Sequence, residues 1–105
     1  MAIVPEEVIE EAARRFALLS DPTRLRLISV LHEAGELSVG ALAELTGVSV
    51  ANTSQHLSRL TSGGVVARRR EGTSVRYRIA DGTIEELCAI VCAHLGVRPA
   101  AKGAA

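Results

Sequence analysis

Apolar residues recur every three or four positions through most of this chain, then every second position over one short stretch. The first kind of spacing marks helices with one buried face, and the second a half-buried strand. Val8, Ile9, Ala12, Phe16 and Leu19 make the first stripe, over residues 5–19. Pro5 suits its opening turn, and Glu6, Glu7, Glu10 and Glu11 complement the positive N-terminal end. Ser20-Asp21-Pro22 stops that helix and starts a second, with Asp21 as cap and Pro22 at the first helical position. The second helix runs to Ala34, with Leu25, Ile28 and Leu31 inward, and Gly35 ends it. Leu37-Ser38-Val39 reads as an extended link. Ser38 caps a third helix through Leu45, with Val39, Leu42 and Thr46 on one face. Gly47-Val48 then turns into a fourth helix, Ser49–Leu60, which Ser49 caps and Gly63-Gly64 breaks. Two short helices joined by a tight glycine-containing turn form a helix-turn-helix pattern.

The period-2 stretch follows. Val75, Tyr77 and Ile79 alternate strictly with Arg76 and Arg78. With Val65 to Arg70 before it and Glu71-Gly72-Thr73 between, it predicts a hairpin with a charged tip. A hairpin after a helix-turn-helix is a wing. Asp81 caps a last helix, Gly82 to Leu95, with Ile84, Leu87, Cys88, Val91 and Leu95 in one stripe. The stripes of the first and last helices exceed what one small domain needs internally, so the excess is expected to form a dimer interface. The predicted architecture is mainly α with a small β-hairpin, a winged helix-turn-helix in the order α-α-α-α-β-β-α, dimerised through its first and last helices. Residues 1–96 are one domain, and 97–105 read as a disordered tail.

The fourth helix has two unlike faces. At about 100° per residue, Val50, Ser54, Leu57 and Thr61 fall on one side, which is expected to pack. Ala51, Asn52, Gln55, His56 and Arg59 fall on the other, with Ser54 at its edge. That second face holds neither Glu nor Lys. Asn and Gln pair in bidentate fashion with adenine, Arg with guanine, and small side chains allow close approach. The expected DNA contacts are therefore Ser49, Asn52, Ser54, Gln55, His56 and Arg59 on this helix, and Arg70 and Arg76 on the wing. An edge hairpin kept soluble by its charges is the plainer reading of the wing.

Charge strengthens the nucleic-acid reading. The net charge is zero, but residues 59–80 hold six Arg against Glu71 alone. A local basic patch attracts a polyanion even on a neutral chain. Aromatics are only 2% of the 105 residues, so Leu, Val, Ile and Ala must build the core. No basic-then-apolar leader and no long apolar run is visible, so a cytoplasmic protein that does not enter the membrane is expected. No nucleophile–base pairing, phosphate loop or paired carboxylate points to an enzyme. A winged helix that binds only protein is the rival reading.

Asp21-Pro22-Thr23-Arg24-Leu25-Arg26-Leu27, Ser54-Gln55-His56-Leu57 and Arg69-Arg70-Glu71-Gly72 with Tyr77 together resemble the ArsR/SmtB family of winged-helix bacterial repressors, over about residues 8–95. The resemblance implies a homodimer whose Ser49–Leu60 helix reads the major groove of a double-stranded operator, and an effector that releases it. The family's thiol metal box falls on Glu36-Leu37-Ser38-Val39-Gly40-Ala41-Leu42, which lacks both thiols. A second family site matches Asp81 and His94, while Thr83 and Val97 stand at its other two places. Two ligands per chain are too few for a tight tetrahedral zinc site. Cys88 and Cys92, one helical turn apart, remain as soft-metal ligands, as thiols open to oxidants or persulfides, or as small apolar packing residues. No cofactor is expected to be needed for folding.

Overall fold

Four side-chain caps divide the chain into its helices. The computed structural model describes residues 3–96. Helix α1 spans Glu6–Leu19 and α2 spans Pro22–Ala34, where Asp21 accepts from the backbone N–H of Arg24 and Pro22 fills the first helical position. Ser38 caps α3, Val39–Thr46, by accepting from the N–H of Ala41. Ser49 caps α4, Val50–Ser62, and Asp81 caps α5, Gly82–His94. Gly47 turns the chain between α3 and α4 in the left-handed region, at φ 74°. Glycine adopts that conformation without steric cost.

The hairpin forms with β2 at Val66–Glu71 and β3 at Ser74–Ile79, their register running from Val66 opposite Ile79 to Glu71 opposite Ser74. A third strand joins it. Leu37-Ser38-Val39 was expected to be an extended link; Glu36–Ser38 forms a strand, β1, antiparallel to β3 with Leu37 opposite Tyr77. Val39 already belongs to α3. The sheet order is β1-β3-β2, so the chain reads α-α-β-α-α-β-β-α. Both edges of β3 find backbone partners this way, and Leu37 joins the apolar face of the sheet.

The core gathers around α2. Leu27, Ile28 and Leu31 of that helix meet Leu42 of α3, Leu57 and Leu60 of α4, Val65 and Val66 at the start of the hairpin, and Ile84 of α5. Leu25 was expected inside but is exposed, whereas Leu27 is buried. The helix is enclosed from several sides at once by α1, α3, α4, α5, β1 and β3. Its buried arc is therefore set by its neighbours and not by its own periodicity alone. Residues 97–105, expected to be a tail, lie outside the described residues. Among those described, no helix is long and apolar enough to cross a membrane.

Candidate nucleic-acid interface

Ser49 starts α4 by accepting from the N–H of Asn52 at 3.1 Å. Thr53, Leu57 and Leu60 then fall on one arc of the helix, and each is fully buried. These spacings of four and three hold the helix by its underside. The packed arc is rotated from the expected one. Val50 and Ser54, read as inward, are exposed, while Thr53 takes the inward place. Thr53, on neither of the expected faces, is fully buried, and its Oγ1 has no partner among the described protein groups.

The rotation leaves Ala51, Asn52, Ser54, Gln55, Ser58, Arg59 and Ser62 exposed. Ser58 and Ser62, three and seven positions after Gln55, extend the strip beyond the residues picked from the sequence. Small side chains at 51, 54, 58 and 62 leave the amides of Asn52 and Gln55 unhindered, as close approach to base edges requires. His56 is half-buried at the side of the strip. Arg24 donates from Nε to its Nδ1 at 3.3 Å, and Asp21 Oδ2 lies 3.9 Å from the same nitrogen. With Nδ1 accepting, the ring proton is assigned to Nε2. The imidazole thus ties α4 to the first turn of α2. The α2 cap carboxylate of Asp21 is held below the usual range, chiefly by the N–H of Arg24, with further help from the Arg24 charge.

The wing has two faces, since side chains alternate along a strand. Ala67, Arg69 and Glu71 share one face with Ser74, Arg76 and Arg78, and with Glu36 and Ser38 of β1. Arg69 and Arg76 are directly opposed, an arrangement that repels. Glu36 relieves it, accepting from Arg69 at 3.1 and 2.7 Å, and Glu71 lies 3.6 Å from each of the two arginines. The pair with Arg69 holds the Glu36 carboxyl below its ordinary value and keeps the guanidinium firmly protonated. Arg70 stands on the other face, exposed and opposite Val75, with Arg68 two residues before it. Arg70 and Arg76 therefore serve opposite sides of the ribbon.

The sensor candidates do not converge. Cys88 is half-buried against the core and Cys92 is exposed one turn on. Burial pushes the Cys88 thiol up, and Cys92 adds to this. Asp81 accepts from the N–H groups of Thr83 and Ile84 and also pairs with Arg15. His94 ends α5, exposed, and at 100° per residue it lies far around the helix from both thiols. Among the described residues, no three His, Cys, Asp or Glu side chains gather where they could hold a metal ion.

A helix-turn-helix held on α2, an unhindered polar strip on its second helix and a basic three-stranded wing define a winged helix-turn-helix domain that binds DNA. Residues 19–69 match a family model described as a helix-turn-helix domain. The Probable mercury resistance operon repressor of Streptomyces lividans is 37% identical over 86 residues, spanning 82% of this chain and 68% of that protein. The HTH-type transcriptional regulator Rv0324 of Mycobacterium tuberculosis is 38% identical over 84 residues, 80% of this chain but 37% of that longer protein. A solution structure of the homodimeric winged helix-turn-helix DNA-binding domain (fragment 1–100) of Mb0332 from Mycobacterium bovis, described as a possible ArsR-family regulator, superposes with a TM-score of 0.78 at 34% identity, covering 90% of each chain. The chain belongs to the ArsR/SmtB family of winged helix-turn-helix transcriptional regulators.

Proposed function

We propose that this chain is a cytoplasmic repressor that binds a double-stranded operator as a homodimer. The observation that carries the reading is the outward strip of α4, small and amide-bearing, over a fully buried underside. Asn52 and Gln55 contact base edges, with Ser54 and the His56 Nε2–H at the margins of the strip. Ser49, Arg59, Arg70 and Arg76 contact phosphate, and the two wing arginines do so from opposite faces of the ribbon. Self-association is supported by exposed apolar side chains on α1 (Val8, Ile9, Phe16) and on α5 (Ile90, Val91, Leu95), and by the homodimeric relative. Two reading helices about 34 Å apart meet successive major grooves on one side of a near-palindrome. Gln55→Ala is expected to weaken binding to the chain's own promoter by about 1–3 kcal/mol and to change base preference. A titration showing unchanged affinity and preference would remove Gln55 from the reading face.

An effector that releases the operator belongs to the same reading, and the mercury-named relative supports a soft one. Cys88, Cys92, Asp81 and His94 do not fit a metal site within one chain, because Asp81 is engaged as a cap and His94 is turned away. No metal-centred step is therefore derived. Cys88 lies in the α5 stripe and the exposed Cys92 follows Val91 of the self-association surface, so a metal ion or oxidant acting on the thiols would bear on the dimer. Operator binding by Cys88→Ser/Cys92→Ser, with and without mercuric ion, tests this. A response equal to that of the unaltered chain removes the thiols from sensing.

A further inference from the structure

A cleft of about 530 Å³ opens where α1 meets the C-terminal end of α4. Its walls come from three helices. Arg14 and Arg15 belong to α1, Arg24 to α2, and Arg59 to α4 along with the hydroxyls of Ser58 and Ser62. Four guanidinium groups and a single carboxylate, Glu11, line it, a surplus of three positive charges. The floor is fixed by a close approach of α1 to α4, since a Cβ at Gly63 would run into Leu18 Cδ1.

Three of the four guanidinium groups, those of Arg14, Arg15 and Arg24, are held in place before any ligand arrives. Glu11 accepts from Arg14 Nε and Nη2 at 3.1 and 2.9 Å and from Arg15 Nε at 3.0 Å. Arg15 also reaches Asp81 with Nη1. Arg24 donates to His56 Nδ1 and to the carbonyl of Leu18, each at 3.3 Å. Arg14 Nη1, Arg15 Nη2 and Arg24 Nη2 are left without a hydrogen bond among the described residues, and no carboxylate lies within ion-pair distance of Arg59. Planar forks presenting unspent N–H groups from several directions suit a tetrahedral oxyanion, and serine hydroxyls add short donors. A planar carboxylate needs only one such fork.

We propose that this cleft binds a phosphate group, presented either by the backbone of the bound duplex or by a free phosphorylated small molecule. Ser58, Arg59 and Ser62 continue the outward strip of α4, so an occupant touches the reading helix and α1 together. The site follows from the cleft itself. Only its duplex source rests on the operator-binding reading, which Gln55→Ala tests separately.

The experiment uses the whole chain with two variants, Arg14→Ala and Glu11→Gln. Pyrophosphate is titrated into the free protein by calorimetry, and promoter affinity is measured against salt concentration. For a free ligand, pyrophosphate binds the unaltered chain, Arg14→Ala weakens it by about tenfold, as loss of a charge-assisted bond implies, and Glu11→Gln tightens it. For the duplex backbone, pyrophosphate does not bind, but Arg14→Ala lowers the magnitude of the salt slope by about 0.9, the loss of one neutralised phosphate. Pyrophosphate binding that ignores both substitutions, or no binding together with an unchanged slope, overturns the proposal.

Discussion

Helices α4 and α5 are each 13 residues long and each begins at a side-chain cap, yet they dispose of their apolar faces in opposite ways. On α4, Thr53, Leu57 and Leu60 are all fully buried, and what remains outside is polar or small apart from Val50 in the first turn. On α5 only Ile84 is buried, while Ile90, Val91 and Leu95 remain 60%, 47% and 78% exposed. The α4 underside is met by α2, α3 and β2, so its burial is complete within one chain. The outer part of α5 has no such partner among the described residues, and α1 repeats the pattern with Val8, Ile9 and Phe16 exposed. Exposed apolar faces of this kind mark association surfaces. One helix is finished by folding and, in the proposed dimer, the other by assembly, so substitutions on the two should fail in different ways.

The largest effect is expected at Leu57. Truncation to alanine removes a fully buried side chain and should destabilise the fold by about 2–5 kcal/mol, lowering the urea midpoint whatever the protein concentration. Next comes Val91→Glu. A carboxylate placed in an apolar contact is costly, so self-association should weaken by about a hundredfold or more, while the isolated chain keeps its far-UV spectrum. Sedimentation equilibrium reads the first and circular dichroism the second. Unchanged association in Val91→Glu would place the interface elsewhere and dissolve the contrast between the helices.

The parts of this contrast that were legible in the sequence are the local ones. Asp21, Ser38, Ser49 and Asp81 bond to N–H groups two or three residues ahead, so their roles are written in adjacent residues. The alternation of Val75, Tyr77 and Ile79 likewise fixed the inner face of β3. The inward arc of α4 was misjudged because Thr53, assigned to neither face, is fully buried while Val50 and Ser54 are exposed. Leu25 and Leu27 exchanged places because α2 is enclosed by neighbours that its own periodicity does not encode. Strand β1 has three residues, too few for alternation to register. The arginine cleft was out of reach altogether. It joins residues from Glu11 to Gly63, and its Arg24–His56 bond spans 32 positions of sequence.

Thr53 offers a smaller and opposite test. Its Oγ1 is buried with no partner among the described protein groups, and an unsatisfied buried hydroxyl is unfavourable. Thr53→Val keeps the shape and removes the polar atom, so the fold should gain up to about 1 kcal/mol. Promoter affinity should stay the same, because the residue faces inward. A lower urea midpoint would mean that the hydroxyl does satisfy a partner.

The smallest effect lies at the joint between α4 and α2 and appears only in acid. Asp21 caps α2 and stands 3.9 Å from His56 of α4, and its carboxyl is held below the ordinary value. A carboxylate with a depressed native pKa contributes stability above its unfolded pKa of about 4, and that contribution is lost as pH falls through the native value. Asn caps a helix as well as Asp does, so Asp21→Asn removes the charge and keeps the cap. The unaltered chain should be slightly the more stable at pH 7, and the difference should close as pH falls below about 4. Glu11 and Glu36, also depressed by their arginine partners, are present in both proteins and cancel in the comparison. Urea midpoints measured from pH 7 down to about 2 read this directly. Parallel acid limbs would show that the N–H and the charge of Arg24 favour the Asp21 carboxylate no more in the folded chain than in the unfolded one, leaving Thr53, Leu57 and Leu60 to hold α4 without help from the α2 cap.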